Sequence, residues 1–241
     1  MKRIVLLLVL LVPLKVVASD ENQDPWEGLN RNVHGFNEVM DRYIARPMAK
    51  AYRVVLPRFV RTGVGNFFSN LGEVPTTIND LLQAKPRDAL TSSGRFVINS
   101  TVGVLGLFDV ASGIGIKEHR EDFGQTLAVW GFGSGPYVVI PLLGPSTLRD
   151  ALSLYPNYQL TLINYASITT EESYGVLALD LLHRRHKLLG QEALIQGDKY
   201  IFYRDAYLQN RHYEINDGVV EDSFDTEFDG EFDDLDFGED L

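Results

Sequence analysis

The 241-residue sequence contains no cysteine, which excludes disulfide bridges, thiolate metal sites and cysteine nucleophiles. Charge is missing from two places. No residue between Asp122 and Arg149 is charged, and neither Lys nor Arg occurs from Glu221 to Leu241. There is no βαβ alternation and no long internal repeat. Nor does any apolar run serve as a spanning helix. The run at the N-terminus is shorter than the ~20 residues required. Gly and Pro break the other two, Phe96 to Phe108 and Phe123 to Leu148.

The N-terminus is patterned. Lys2 and Arg3 precede the apolar stretch Ile4 to Leu14, and Val16-Val17-Ala18 places small residues ahead of Ser19. Residues 1–18 therefore read as a cleaved secretory signal peptide, with a short membrane anchor as the alternative. The mature chain is expected to work in a bacterial envelope, where ATP-driven chemistry is out of place.

The formal net charge is −11, and eleven acids lie in residues 221–241, so the remainder is balanced. Phe224, Phe228, Phe232 and Leu235 recur in that tail at helical spacing. Residues 218–241 read either as a disordered solubilising tail or as an acidic segment that packs its Phe stripe on a basic partner.

Residues 19–217 read as an all-α domain. Trp26, Leu29, Val33, Phe36, Met40, Tyr43 and Ile44 keep a 3.6-residue beat. Asp24-Pro25 supplies an N-cap and a first-turn proline. A second helix is expected from Pro47, and a third carries Phe59, Val60, Val64, Phe67, Phe68 and Leu71. Pro75 and Pro86 mark further starts. Glu121–Trp130, Ser146–Tyr155, Glu171–Gly190 and Asp198–His212 complete the series. "YVVIPLL" is β-branched enough for a strand, but Pro141 interrupts it and no clear partner strand exists.

Positive charge collects early. Arg46, Lys50 and Arg53 share one helix face, which suits an anionic membrane surface, a lipid head group or an acidic partner as well as ordinary solvation. A second basic knot is His183-Arg184-Arg185-His186-Lys187. His183 and His186 have a metal-compatible spacing, but their basic neighbours repel a cation. "GFGSGP" is neither a Walker loop, a dinucleotide fingerprint nor a nucleophile elbow. Glu121-Asp122 suits a helix cap better than acid–base work. No catalytic constellation, metal site, cofactor or nucleic-acid surface emerges. The uncharged stretch then stays open between the core of a soluble helical domain and an apolar wall or passage lining in one leaflet. In that setting Trp130, Gly133, Gly135, Pro136, Tyr137, Pro141 and Gly144 are the candidate wall residues. Broken backbone at membrane depth survives only inside protein or beside a cavity.

The blocks "DPWEGLNRNVHGFNEVMDRYIARPMAKAYR" (24–53) and "FGQTLAVWGFGSGPYVVIPLLGPSTLRD" (123–150) resemble the hallmark segments of the MlaA (VacJ) family. "FFSNLGEVPTTINDLLQAKPRDAL", "RFVINSTVGVLGLFDVA" and "GDKYIFYRDAYLQNRHYEIN" resemble it in order and spacing, so the likeness covers about residues 24–216. The resemblance implies a ring-like set of amphipathic helices in the inner leaflet of the outer membrane, with Gly/Pro-rich loops around a central passage. It implies removal of mislocalised phospholipid from the outer leaflet, without catalysis. A trimeric porin and a soluble periplasmic lipid carrier are the implied partners, the carrier delivering lipid to an inner-membrane ABC transporter complex. Most of that family carry an acylated N-terminal cysteine. Here Ser19 stands at that place, so anchoring is expected from amphipathic helices or a porin. A soluble periplasmic lipid-binding or adaptor module, and a lipid hydrolase, are the other two readings; the hydrolase lacks an activated nucleophile.

Overall fold

A computed structural model describes residues 24–166, 169–191, 195 and 197–219. The signal-peptide reading and nearly all of the acidic tail lie outside the described residues. The fold is mostly helical. Helix α1 (Glu27–Met40) passes through a π-helical turn (Asp41–Ala45) directly into α2 (Arg46–Val55). Then follow α3 (Arg58–Leu82), α4 (Pro86–Thr101), the short α5 (Val110–Gly113) and α6 (Phe123–Val129). After a two-stranded hairpin come α7 (Leu148–Leu160), a 3-10 turn (Leu162–Tyr165), α8 (Thr170–Lys187) and α9 (Lys199–Ile215). Among the described residues no helix is long and apolar enough to cross a membrane.

One proline reading changes. Pro47 lies in the first turn of α2, within one residue of the expected start, although a π-helical turn joins that helix to α1. Pro75, by contrast, lies inside α3. The Leu71 carbonyl loses its N–H donor there, while nearby Thr77 Oγ1 donates to the Glu73 carbonyl (2.7 Å) and Asn79 Nδ2 to the Pro75 carbonyl (2.8 Å). Packing along α4 holds the helix through the proline. Pro86 does start a helix. Asp24 makes no cap, since α1 begins at Glu27 and the Asp24 carboxylate accepts from Asn30 Nδ2 (2.8 Å) and the Tyr200 hydroxyl instead. Asp122 caps its helix as read, accepting from Gln125 N, and Asp198 accepts from Tyr200 N; Thr169, not singled out from sequence, forms with Glu172 a full capping box on α8.

The "YVVI" strand does have a partner. β1 (Tyr137–Ile140) pairs antiparallel with β2 (Gly144–Thr147), in the register Tyr137↔Thr147 to Ile140↔Gly144. Pro141 sits at the tip, not within the ladder. The turn is closed by Leu142 (φ 66°) and Gly144 (φ 94°). The outer edge of β1 is covered by side chains of α1. Asn30 Nδ2 donates to the Tyr137 carbonyl (3.1 Å) while the Val139 N–H donates to Asn30 Oδ1 (2.9 Å). One heptad on, Asn37 repeats the arrangement with the Ile140 carbonyl (3.0 Å) and the Leu142 N–H (2.7 Å). Two asparagines thus do the work of a third strand on an edge that is otherwise unpaired. Asn37→Ala is expected to cost about 1–2 kcal/mol, near 1 for each bond lost. Faster amide exchange at Leu142, with helical amides unchanged, is the check.

Burial is inverted. Among the described residues the buried apolar side chains are few: Ala49, Tyr52, Ala89, Ala111, Tyr137, Val139 and Tyr200. The face of α3 that α4 covers carries Asn70, Glu73, Thr76, Asn79 and Asp80, and α4 answers with Ala89, Ser92, Arg95 and Asn99. Large apolar residues point outward: Val54 is 85% exposed, Phe59 77%, Leu90 74% and Leu105 71%. The segment joining α4 to α5 concentrates this, exposing Val102, Val104, Leu105, Leu107 and Phe108. It is also strained, with φ of 53° at Val104 and 56° at Leu105.

Candidate functional site

Three ionic knots organise the interior. In the first, Arg95 (1% exposed) donates Nε to Glu73 Oε1 (2.5 Å), Nη1 to Ser112 Oγ and the Ile116 carbonyl, and Nη2 to Asp109. Glu73 Oε2 is buried with no partner. Burial pushes the Glu73 carboxyl up by more than Arg95 lowers it, so it lies above its ordinary range. In the second, Arg211 of α9 bridges two helix starts. Its guanidinium reaches Asp122 through Nη1 (2.6 Å) and Nη2 (2.7 Å), and Asp150 through Nε (3.0 Å) and Nη2 (2.9 Å). The Tyr207 hydroxyl adds a bond to Asp150 (2.7 Å). Gly124 is required beside this knot, since a Cβ there collides with the Asp150 carboxylate and the Arg211 guanidinium.

The third knot holds a serine, a histidine and an aspartate without making a catalytic triad. Ser92 Oγ (3.2 Å) and Asp80 (3.1 Å) both approach His119 Nε2, so the aspartate does not orient the ring from Nδ1 as a triad requires. Ser92 is fully buried. Asp80 raises the His119 pKa through that bond, which fits a structural ion pair.

A cavity of about 440 Å³ lies where the hairpin meets the π turn. Its lining mixes charge (Asp41, Arg42, Arg46, Arg185) with apolar groups (Pro145, Leu188, Phe202). The π turn places Asp41 here, where Arg185 Nε (2.5 Å) and Nη2 (2.9 Å) and the Arg46 guanidinium (3.4 Å) meet it. The Arg185 bonds, opposed by burial, keep the Asp41 carboxyl below its usual range. Asn37, the hairpin clamp, also lines this space.

The residues singled out from sequence are thus partly brought together. Arg46 faces the cavity, whereas Lys50 and Arg53 are exposed farther along α2. Trp130 caps α6, half exposed, and donates Nε1 to the Leu82 carbonyl (3.0 Å). Gly133 is exposed in the loop, and Gly135 turns the chain at φ 65°, where a Cβ would sit 3.1 Å from Leu148 Cβ. The Pro136 carbonyl accepts from Leu148 N (2.9 Å). Tyr137 is 1% exposed, packed against Tyr200 and Tyr207. Pro141 and Gly144 shape the hairpin tip, beside the exposed Leu142 and Leu143. The basic knot on α8 is divided. Arg184 pairs with Asp180, Arg185 with Asp41, and His183 is buried. Among the described residues no group of three or more His, Asp or Glu is arranged to hold a metal.

Sequence reading passed over Asn30, Asn37, Glu73, Arg95, Asp150 and Arg211. The available signal was a polar stripe at helical spacing: Asn70, Glu73, Thr76 and Asp80 on α3, with Ser92, Arg95 and Asn99 on α4.

Comparison with known proteins agrees with the architecture. The chain is 36% identical over 208 residues to the intermembrane phospholipid transport system lipoprotein MlaA of Escherichia coli K12, covering 82% of this chain and 80% of that one. It is 35% identical over 216 residues to the protein of the same name from Haemophilus influenzae, covering 84% and 83%. A solved structure described as the "structural basis for maintenance of bacterial outer membrane lipid asymmetry" superposes with a TM-score of 0.72 at 35% identity, over 80% of this chain and 98% of the other. The sequence model of the family described as "MlaA lipoprotein" matches residues 22–214, and this chain belongs to that family.

Proposed function

We propose that this protein moves phospholipid between membranes, withdrawing mislocalised phospholipid from the outer leaflet of the outer membrane and handing it to a soluble periplasmic carrier. The observation that carries the reading is the inverted burial. A soluble monomer rarely exposes a contiguous apolar patch beyond a few hundred Å². Here α1 to α4 all turn large apolar side chains outward, and α1, α3 and α4 keep mainly polar side chains such as Asn30, Glu73 and Arg95 inside. Such a surface is stable where lipid solvates it. Helices too short or too polar to span then lie in one leaflet, on the periplasmic side of the outer membrane. The names of the relatives from Escherichia coli and Haemophilus influenzae support the transport reading.

In this reading the helices encircle a passage, bordered by the hairpin and the loop from Trp130 to Gly144. The mixed cavity beside Arg46 and Pro145 suits a ligand with a charged head and apolar chains. No side chain performs chemistry on the lipid; the chain is a conduit, not an enzyme. Partners of the porin and lipid-carrier kind complete the route, and the apolar exterior supplies the anchor.

The test is mass spectrometry of protein extracted in mild detergent from outer-membrane fractions. Stoichiometric phospholipid on the membrane-fraction protein is the expected result. Protein found free of lipid in the periplasmic supernatant would instead make it a soluble adaptor.

A further inference from the structure

A second cavity, of about 480 Å³, opens between the first half of α3 and the last turn of α8. Its wall carries four fixed cations, Arg58, Arg61, Arg120 and Lys187, against two carboxylates, Asp109 and Glu118. Both carboxylates are engaged. Glu118 accepts from Ser69 Oγ (2.7 Å) and pairs with Arg120 (2.9 Å), while Asp109 is held by Arg95, Asn99 and Ser112. Among the described residues Arg58, Arg61 and Lys187 have no acidic partner, and Arg61 Nε is buried without a hydrogen bond.

His183 forms part of the same wall and is 3% exposed. Its Nδ1 meets the Tyr52 hydroxyl at 3.1 Å, and its Nε2 is buried with no partner. Tyr52 thus fixes one side of the ring. Nε2 packs against Gly65, where a Cβ would come within 2.7 Å, so it lies behind the cavity wall. Burial, then the charges of Lys187 and His186, push the His183 pKa down to about 4, so the ring is neutral at physiological pH and adds no charge to the wall. The cavity gathers, from two facing helices, two guanidinium groups and an ammonium without acidic partners among the described residues.

We propose that this cavity binds a phosphate group, gripped by Arg58, Arg61 and Lys187, with the buried His183 ring behind its wall as the reporter of occupancy. A tetrahedral phosphate accepts from several directions at once, and Arg matches its oxygens with two parallel bonds. The ligand's source rests on the transport reading: it is the phosphodiester of a phospholipid head group, held apart from the mixed cavity beside the hairpin. Free inorganic phosphate offers the same chemistry and is the source to be distinguished.

The test uses the full chain in maltoside micelles, reading the imidazole signals of His183 and His186 by ¹H–¹⁵N NMR. The probes are dihexanoylphosphatidylglycerol, dihexanoylglycerol and inorganic phosphate. The phosphatidyl lipid is expected to shift the His183 Nε2 signal saturably, and the phosphate-free glycerolipid to leave it in place. Arg61→Gln with Lys187→Gln is expected to weaken the response at least tenfold with the thermal melt unchanged. A response to inorganic phosphate as tight as that to lipid supports the site with free phosphate as its occupant. A shift from dihexanoylglycerol equal to that from the phosphatidyl lipid, or Gln variants that titrate like wild type, overturns the proposal. The two readings fail separately. Lipid retained in full by the Gln variants removes this pocket and leaves transport standing, whereas wild-type protein devoid of lipid removes transport while a His183 response to phosphate survives.

Discussion

Arg95→Met is expected to lower stability by about 3–5 kcal/mol at neutral pH, the cost of leaving a buried charge without its partner. Glu73 is 2% exposed, one of its oxygens already lacks a donor, and among the described residues Arg95 is its only ion-pair partner. Asp109 loses less, because Asn99 and Ser112 still donate to it. The pH dependence follows from the direction of the shift. Burial already raises the Glu73 carboxyl with Arg95 present. Without the guanidinium that push is unopposed. A carboxyl whose folded pKa exceeds its unfolded value stabilises the fold below the unfolded value, ~4.3 for Glu, and loses that contribution as pH rises through the folded one. The variant should therefore be weakest near neutrality and recover on acidification, and Arg95→Met with Glu73→Gln should restore most of the loss at pH 7. Denaturant titrations in micelles at pH 4.5 and pH 7 measure this. A deficit equal at both pH values, and uncorrected by the second substitution, would show that Arg95 contributes packing and not charge balance.

Val104→Asp with Leu105→Asp is expected to release the protein from membranes without harming its fold. Both positions hold positive φ, which Asp tolerates better than a β-branched or bulky side chain. Both are exposed, at 54% and 71%, so in water the exchange is close to neutral. In lipid each aspartate costs up to about 2.5–3.5 kcal/mol. As every 1.4 kcal/mol is a factor of about ten, partition should fall by up to about a hundredfold for each substitution. Flotation of the two-site variant against wild type, beside matched thermal melts, is the measurement. Undiminished flotation would place this segment outside the bilayer and take the strongest apolar patch away from the membrane reading.

The helices were legible because their punctuation is local. Pro86, Asp122 and Asp198 announce starts through their own local chemistry. Pro75 misled because the helix is held through it by packing against α4, which one segment alone does not reveal. β2 was missed because Gly144-Pro145-Ser146-Thr147 has little strand propensity, and the hairpin is fixed from outside by Asn30 and Asn37. The deeper difficulty lay in which face is inside. Amphipathic periodicity gives the angle of a stripe, not its destination. On α3 the buried stripe is Asn70, Glu73, Thr76 and Asp80, and reading Phe59 as core inverts the helix.

The inverted burial also bears on calorimetry. Exposing apolar surface raises heat capacity and exposing polar surface lowers it, and ordinary domains gain about 12–15 cal/mol/K per residue on unfolding. Unfolding this chain uncovers Asn79, Asp80, Arg95 and Asp150, while Val54, Phe59 and Leu105 are outside from the beginning. Its heat-capacity increment therefore falls below that range. A small increment flattens the dependence of stability on temperature, so the melting enthalpy persists on cooling and the temperature of cold denaturation recedes.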